Sequence, residues 1–537
     1  MLWGVKTAVD GAGGEPNDFP LPMTPMKTIT TGLGTLIAAL LLAPHSRAEV
    51  SNAALLDLLV RKHLISQKDV DSLEAEIAPT QPSKAPENAG AGPSAPVAAP
   101  AALAVPPAAP KEPLSFRIGT ADFTPFGFVD FTGFFRTRAT GSSYPTAFTS
   151  IPYSNTPNGR LSETKFTAQN SRFGMRVEST VEDAKVLGYV ETDFLGNAPS
   201  NLGVSSNSAT LRMRSYFADL SKGRWELLFG QDWSLMTPNR RGISPVTPDI
   251  FYTNDMDGNY QAGLTWCRQA QLRVVYHATD GLTLAASAED PDQFVGPAVT
   301  LPGGFTASEV DTGAATTQPN QVPDFLAKAA FDTRVGDDLP WHAEVAGVLR
   351  TFKISTNPGS GDADSTAEGW GASGAVSLGI TRTLTLVGTG YYGLGGGRYI
   401  GGNSPDFVVE GPGSLGAYRV GLIRSTSSLV GLEWAAAASD TVSAYWSTLG
   451  TGRRFSQQAN GAYVGYGYPG SAGSNNRSIE EFTLANTYTL WRSPSYGALQ
   501  VIGQLSEVER TAWYQAPGAP ARAEDTMVFV DLRYVLP

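Results

Sequence analysis

Arginines spaced two residues apart in amphipathic segments are the residues of this sequence with the clearest capacity for chemistry. Within residues 211–234, Arg212 and Arg214 alternate with Leu211 and Met213. Because successive side chains of a β-strand point to opposite faces, the two guanidinium groups are predicted to share one face. A face with repeated guanidinium groups attracts small anions by Coulomb interaction. The arginines that the same alternation assigns to this kind of face are Arg136, Arg138, Arg172, Arg176, Arg212, Arg214, Arg273 and Arg350.

Residues suited to covalent catalysis or metal binding are scarce in the sequence. No GxSxG motif is present, and the single cysteine, Cys267, lies in a segment that reads as strand. The glycine-rich segment 393–402 falls in a predicted loop with no helix after it, so it does not suit a phosphate site. The histidines lie far apart and fit no zinc spacing: His45, His63, His277 and His342. We therefore expect no enzyme, cofactor or metal, and the net charge of −11 argues against nucleic-acid binding.

The segment that carries Arg212 and Arg214 has the period-2 pattern of an antiparallel hairpin with its turn at 221–224. The pattern predicts that Phe217 lies on the apolar face and that Tyr216 shares the face of the arginines. In the second strand the pattern opposes two sets of side chains, Trp225, Leu227 and Phe229 against Glu226, Leu228 and Gly230. One such hairpin suits a soluble β-sandwich and a membrane barrel equally. A content of 58 Gly and 37 Pro with only 17% charged residues favours a turn-rich β protein of either kind.

The hairpin pattern recurs from about residue 116 to the end of the sequence. The predicted strands are 126–140, 167–181, 184–195, 210–221, 224–232, 267–278, 281–290, 325–335, 340–352, 367–379, 383–394, 417–437, 440–450, 478–491, 497–508 and 525–536. Short turns alternate with long loops between them, as in transmembrane barrels with short periplasmic turns and longer outer loops. About sixteen strands fit an all-β antiparallel barrel wide enough for an aqueous channel. The segment 417–437 could also be two strands, which would give eighteen.

The N-terminal part of the sequence divides into three segments that differ in composition. Residues 1–48 are predicted to be a leader and signal peptide, with the true start at Met23 or Met26. Residues 49–78 have helical periodicity and predict a small periplasmic helical head. Residues 79–115 are rich in Pro and Ala and predict an extended linker. The barrel domain is then 116–537.

Energetics decides which face of each strand is turned inward. An Arg that faces lipid near the middle of the bilayer costs about 2–4 kcal/mol. The arginines of the strands are therefore expected to line the lumen, where they would concentrate anions. The alternative is that these arginines only pair with carboxylates on neighbouring strands, such as Glu178, Glu191, Asp193, Glu226 and Glu344.

The third long connection, at about 233–266, is rich in charged and aromatic residues. Four charged residues of this connection are candidates for a functional role: Arg240, Arg241, Asp249 and Asp255. An ordinary exposed loop is the alternative to a segment that narrows the barrel.

The order of several strand sequences resembles the DcaP-like outer-membrane porin family. The segments that carry the resemblance are SRFGMRV (171–177), YVETDFLG (189–196), LRMRSYFADL (211–220), LFGQDWSLM (228–236), RQAQLRVVY (268–276), ASAEDP (286–291) and VPDFLAKAAF (322–331). The resemblance implies a trimer of sixteen-stranded barrels, an N-terminal periplasmic helical segment and diffusion of small, often anionic or dicarboxylate solutes. It also implies that the third long loop folds into the barrel. The long Pro/Ala linker and the terminal Pro537 depart from the family pattern.

Two functions remain open from the sequence. The first is an outer-membrane porin, a passive channel for small hydrophilic solutes with an anion preference, which has outer-membrane lipid around it and forms a homotrimer. The second is an envelope-anchoring or adhesive barrel with a closed lumen, which contacts the cell wall through residues 49–113. In both cases the N-terminal segment lies in the periplasm.

Overall fold

The computed structural model describes most of the chain from residue 114 onward. The described ranges are 114–197, 209–306, 308–313, 317–336, 338–356, 364–412 and 416–537. The predicted leader, the helical head and the linker up to residue 113 lie outside them.

Strands make up almost all of the regular structure in these ranges. They are β1 (Phe116–Ile118), β2 (Ala121–Arg136), β3 (Glu163–Thr167), β4 (Arg172–Val181), β5 (Ala184–Asp193), β6 (Arg212–Lys222), β7 (Trp225–Trp233), β8 (Arg268–His277), β9 (Leu282–Glu289), β10 (Asp324–Val335), β11 (Leu339–Ser355), β12 (Asp364–Gly379), β13 (Leu384–Leu394), β14 (Phe407–Glu410), β15 (Arg419–Leu422), β16 (Arg424–Ala437), β17 (Asp440–Thr451), β18 (Arg454–Gln457), β19 (Tyr463–Tyr466), β20 (Asn476–Ser493), β21 (Gly497–Ala512) and β22 (Ala523–Val535). Short 3₁₀ turns occur at Phe148–Ser150, Asn158–Arg160, Thr247–Asp249 and Gly397–Tyr399. The described ranges contain no helix that is both long enough and apolar enough to cross a membrane.

Sixteen of these strands form a closed antiparallel barrel. Each pairs with the next barrel strand along the chain, and β22 pairs with β2, where Leu532 lies opposite Phe131. The predicted count of sixteen is confirmed. The predicted strand 417–437 is divided at Ile423, but β15 pairs only with β14, outside the barrel, so the division adds no barrel strand. The remaining short strands are β1 and β3, which pair with β2, and the β18–β19 hairpin.

The short and long connections lie at opposite ends of the barrel, as the sequence predicts. The turn between β6 and β7 consists of only Gly223 and Arg224, and Gly223 has a φ of +61°, which a residue without a Cβ adopts at little cost. Long connections follow β2, β5, β7, β9, β13 and β17 at the other end. In outer-membrane barrels the short turns face the periplasm.

The outer face of the barrel is apolar. On β7, Trp225, Leu227 and Phe229 are exposed, whereas Leu228 is only 1% exposed inside the barrel. Because the barrel is closed, the backbone N–H and C=O groups of every barrel strand can pair with a neighbouring strand. A wall in contact with hydrocarbon requires this pairing, since lipid chains offer no hydrogen-bond partners. The chain is therefore a transmembrane β-barrel of the outer-membrane type.

The face prediction for β6 is wrong beyond Arg214, because a β-bulge interrupts the alternation there. Thr192 of β5 pairs with Met213 and Glu191 pairs with Ser215, so Arg214 is the extra residue. After the bulge Phe217 points inward and is only 6% exposed. Tyr216 is turned outward, because its cross-strand partner is the exposed Val190 and paired residues share a face.

The predicted end of the first barrel strand is also wrong. β2 ends at Arg136, so Arg138 belongs to the connection that follows rather than to the wall. The backbone N–H of Arg138 donates to the Asp525 carboxylate, and the Oγ1 of Thr137 donates to the same oxygen. The N–H of Thr137 still bonds to the carbonyl of Thr526, and beyond it the N–H of Arg138 bonds to a side chain instead of the backbone ladder.

The apolar outer band gives a direct prediction for stability. Val345 is exposed near the middle of β11, and Val345→Arg is expected to destabilise the folded barrel by about 2–4 kcal/mol because the charge faces hydrocarbon. Leu339→Arg, at the strand end beside the short turn, should cost only about 0–1 kcal/mol. Urea unfolding of both variants in lipid vesicles measures the difference, and equal stabilities would contradict the assigned band.

Candidate functional site

Residues 234–267, which we call the crossing loop, leave β7 and fold into the barrel. Their first part is fixed to β10 and β11. The backbone N–H of Asn239 donates to Glu344 at 3.2 Å, and the N–H of Gly242 donates to Asp332 at 3.0 Å. The ammonium of Lys328, buried in the wall, donates to the Asn239 side-chain oxygen at 2.7 Å. Wall side chains therefore bind both backbone groups and a side chain of this part of the loop.

The rest of the crossing loop reaches other parts of the wall. Arg240 donates to both carboxylate oxygens of Glu433 on β16, at 2.7 and 2.9 Å. The N–H of Ala262 donates to Glu481 on β20 at 2.7 Å. A segment bonded to β11, β16 and β20 traverses the interior of the barrel.

The first long connection, residues 137–171, which we call the first loop, also folds inward in its first part, before β3 pairs with β2. Tyr144, Phe148, Ile151 and Tyr153 are buried in it. They pack with inward side chains of β20, β21 and β22 in one apolar cluster. The sequence interpretation missed this segment, although four large apolar residues within ten positions are unusual in an exposed loop.

Three of the predicted arginines meet where β4, β5 and β6 adjoin the long connections. Arg212 donates to Asp193 at 2.7 and 3.0 Å, and Arg214 donates to Asp193 at 2.8 Å and to Glu191. Arg172 lies 4.0 Å from Glu191. Three guanidinium groups therefore share two carboxylates.

A fourth guanidinium, that of Arg268, joins this group from the start of β8. It lies 4.7 Å from the ring centroid of Trp233, and its Nη1 is buried with no hydrogen-bond partner among the described residues. Burial would raise the pKa of the Tyr260 phenol, but the guanidinium groups of Arg172, Arg214 and Arg268 lower that pKa below its usual value. We call Arg172, Arg212, Arg214 and Arg268 the arginine group.

Alternation could not identify Arg268. It assigns Arg268 to the face opposite Gln269, Gln271 and Arg273. The Arg268 guanidinium nevertheless lies over the ring of Trp233, which is buried in a cluster with Tyr260 of the crossing loop and inward side chains of the wall.

Arg136 is fully buried and binds the first loop rather than facing open space. It donates to the carbonyl of Tyr144 at 2.7 Å, to the Thr146 hydroxyl at 3.0 Å and to Glu163 at 3.1 Å. The Arg136 guanidinium therefore binds the first loop to the end of β2.

Arg350 has a similar role among the outer connections. Its guanidinium lies 2.8 Å from Asp324 and 2.9 Å from Asp406, and it donates to the carbonyl of Gly395 at 2.8 Å. The side chain is 2% exposed. Arg350 therefore joins β10 and β11 to the connection that follows β13.

The remaining predicted wall arginines lie apart from one another. Arg176 bonds Glu178 at 2.9 Å near the short turns. Arg273 is buried, donates to the Gln271 side chain at 3.0 Å and lies 3.8 Å from Asp232. Arg138, in the rim connection, donates to the carbonyl of Thr137 at 3.2 Å.

The other predicted residues of the crossing loop differ in exposure. Arg241 is mostly exposed and donates to Asp249 at 3.0 Å. Both carboxylate oxygens of Asp255 are buried. This burial, together with the charge of Asp257, raises the pKa of Asp255 to about 8. Asp255 is therefore mostly protonated at pH 7.

Comparison with known proteins identifies relatives of the fold. No protein-family model and no curated protein matches the sequence. The DcaP outer-membrane channel of Acinetobacter baumannii superposes with a TM-score of 0.56 at 17% identity, over 78% of this chain and 97% of that one. An anion-selective porin from Comamonas acidovorans gives 0.43 at 13% identity, over 78% and 100% of the two chains. A trimer form of OmpT, an outer-membrane protein of Vibrio cholerae, gives 0.40 at 13%, over the same shares.

The resemblance to DcaP-like outer-membrane porins is thus confirmed at the level of the fold. The chain has the architecture of an outer-membrane porin.

Proposed function

We propose that the protein is a passive diffusion channel of the outer membrane for small hydrophilic solutes, with a preference for anions such as carboxylates. The observation that carries the proposal is the arginine group at the base of the crossing loop. Three of its guanidinium groups share Glu191 and Asp193, and Arg268 has no ion pair among the described residues, so the four cations outnumber the two carboxylates by two. Walls of low dielectric strengthen the field of such an excess in a narrow passage.

Two carboxylates that hold the crossing loop have cations of their own and do not offset this excess. Glu344 lies 2.8 Å from the ammonium of Lys328, and Glu433 is paired with Arg240. Asp255 is mostly protonated at pH 7. In the proposed channel the crossing loop, with Arg240, Arg241, Asp249 and Asp255, forms the constriction, and Arg172, Arg212, Arg214 and Arg273 line the wall beside it.

Reversal potentials in planar bilayers under a KCl gradient test the proposal. We expect a conducting channel with a higher permeability for chloride than for potassium. Conductance in three equal steps, together with a trimeric mass in detergent, would support a homotrimer. Absence of conductance would contradict the channel, and a higher permeability for potassium would contradict the anion preference.

A second function, an envelope-anchoring or adhesive barrel with a closed lumen, is favoured by one observation. Both the first loop and the crossing loop fold inside the barrel, so the interior is extensively filled. In this alternative, residues 49–113 contact the cell wall. Deletion of 49–113 separates the two functions. Weakened envelope integrity with normal conductance would assign anchoring to the N-terminal segment in addition to the channel.

The raised pKa of Asp255 predicts that selectivity depends on pH. Below its pKa of about 8 the carboxyl is neutral, and above it the carboxyl is negative. The chloride-to-potassium permeability ratio should therefore fall as the pH rises from 7 to 9. In Asp255→Asn most of this change should disappear. A pH dependence that is unchanged in the variant would assign it to another group, such as Tyr260.

A further inference from the structure

The first loop is bound directly to residues 256–259 of the crossing loop. The N–H of Thr146 donates to Asp257 at 3.0 Å, and the Asn259 side chain donates to the carbonyl of Thr146 at 2.8 Å. The N–H of Asn259 donates to the same oxygen of Asp257 at 2.9 Å. The Tyr144 hydroxyl donates to the carbonyl of Met256. These reciprocal bonds, which we call the clasp, join 144–146 to 256–259.

The clasp is buried and fixed from behind. Asp257 is 2% exposed and Thr146 is fully buried, so the bonds do not compete with bulk water. Arg136 donates to the carbonyl of Tyr144 and to the Thr146 hydroxyl, which ties the first-loop side of the clasp to the end of β2. The first loop is thus held to the wall where it meets the crossing loop.

The backbone of the crossing loop at Gly258 packs closely against Tyr144 and Pro145 of the first loop. A Cβ at Gly258 would lie 2.9 Å from the Cγ of Pro145 and 3.0 Å from the Tyr144 ring. The proline ring cannot move aside as a flexible side-chain end could. Only a glycine allows this separation.

We propose that the first loop is the second half of the constriction, and that the clasp positions residues 255–261 of the crossing loop and so sets the width of the passage. This inference rests on the proposed channel function. Wall bonds hold this segment at Asn254, Met256, Gln261 and Ala262. Between Met256 and Gln261, the bonds of Asp257 and Asn259 are to the first loop. Asp257, Gly258 and Asn259 are positioning residues in this arrangement.

Hydrogen–deuterium exchange of the full chain in detergent tests the clasp without reference to conductance. Asp257→Ala removes the acceptor of two N–H groups, and amide exchange in peptides covering 144–146 and 256–259 should rise about fivefold, the equivalent of one net hydrogen bond. Asp257→Asn keeps an acceptor oxygen and should retain most of the protection. Unchanged exchange in Asp257→Ala would overturn the clasp. Should Asp257→Ala fail to fold, Gly258→Ala provides the same readout.

Single-channel recording tests the consequence for the passage. Gly258→Ala forces the two segments apart without changing charge, so we expect a shifted conductance level and more frequent sublevel transitions. Gly303→Ala, whose Cβ meets nothing within 4 Å, is the matched control and should behave as wild type. Faster exchange in Gly258→Ala with wild-type conductance would overturn the positioning role. Absence of conductance in the wild type would instead refute the proposed function, and the exchange measurements would still decide the clasp.

Discussion

Arg268→Ala is expected to lower the chloride-to-potassium permeability ratio about fivefold or more. A unit charge about 4 Å from a passing ion changes its energy by about 1 kcal/mol even in bulk water, and by more in a partly buried site. Arg268 has this effect because its guanidinium adds to those of Arg172 and Arg214 around Tyr260. Arg268→Glu leaves three guanidinium groups beside three carboxylates, so it should abolish the anion preference. Reversal potentials in a KCl gradient measure both variants.

Two controls separate the local charge from the net charge of the protein. Arg382→Ala removes an arginine from the short turn between β12 and β13 and should leave the permeability ratio unchanged. Arg268→Lys keeps the charge and should retain most of the anion preference. The proposal would fail if Arg268→Ala and Arg382→Ala gave the same ratio.

Arg350→Ala is expected to cost about 3–5 kcal/mol of stability, a large loss for a single side chain. The substitution leaves Asp324 and Asp406 buried beside each other without their shared cation. It also removes the donor to the carbonyl of Gly395. Urea unfolding in lipid vesicles, or the temperature at which the folded band disappears from gels, measures the loss.

The comparison for Arg350 is with an exposed ion pair of the same composition. Arg241→Ala breaks the pair with Asp249, and exposed pairs contribute about 0–1 kcal/mol. Arg350→Lys keeps the charge but loses the planar fork that contacts two carboxylates, so it should fall between the two. Equal stability of Arg350→Ala and Arg241→Ala would show that the buried cluster does not stabilise the outer connections.

The barrel could be predicted because its determinants are local. Leu227 and Phe229 alternate with Leu228 in the sequence as they do between the outer and inner faces of β7. Turns such as Gly223–Arg224 are defined by a few adjacent residues. The number of strands follows once these patterns are counted along the chain.

The environments of the inward side chains could not be predicted in the same way, because their partners are distant in sequence. Alternation turned Arg350 inward correctly, but Asp406, which neutralises it, lies on a connection 56 residues later. Arg214 forms a bulge, and a single extra residue reverses every later assignment, as Phe217 shows.

Residues at strand ends were predicted least well. Arg268 packs on the buried ring of Trp233, and a rule based on alternation has no information about packing at the point where a strand meets a loop. The burial of Tyr144 and Phe148 depends on the inner surface offered by β20 to β22, which exists only after the barrel has closed.

The crossing loop also bears on the mechanics of the barrel. A tube of paired strands can flatten into an oval with little change in its ladder of hydrogen bonds. In this barrel such flattening would draw Glu344 and Glu481 away from the loop amides that they bind on different sides of the interior. The roundness of the wall and the placement of the loop are therefore coupled. Lateral pressure, a change in bilayer thickness or contact with a neighbouring barrel can deform the wall, and such a deformation would also displace the crossing loop inside it.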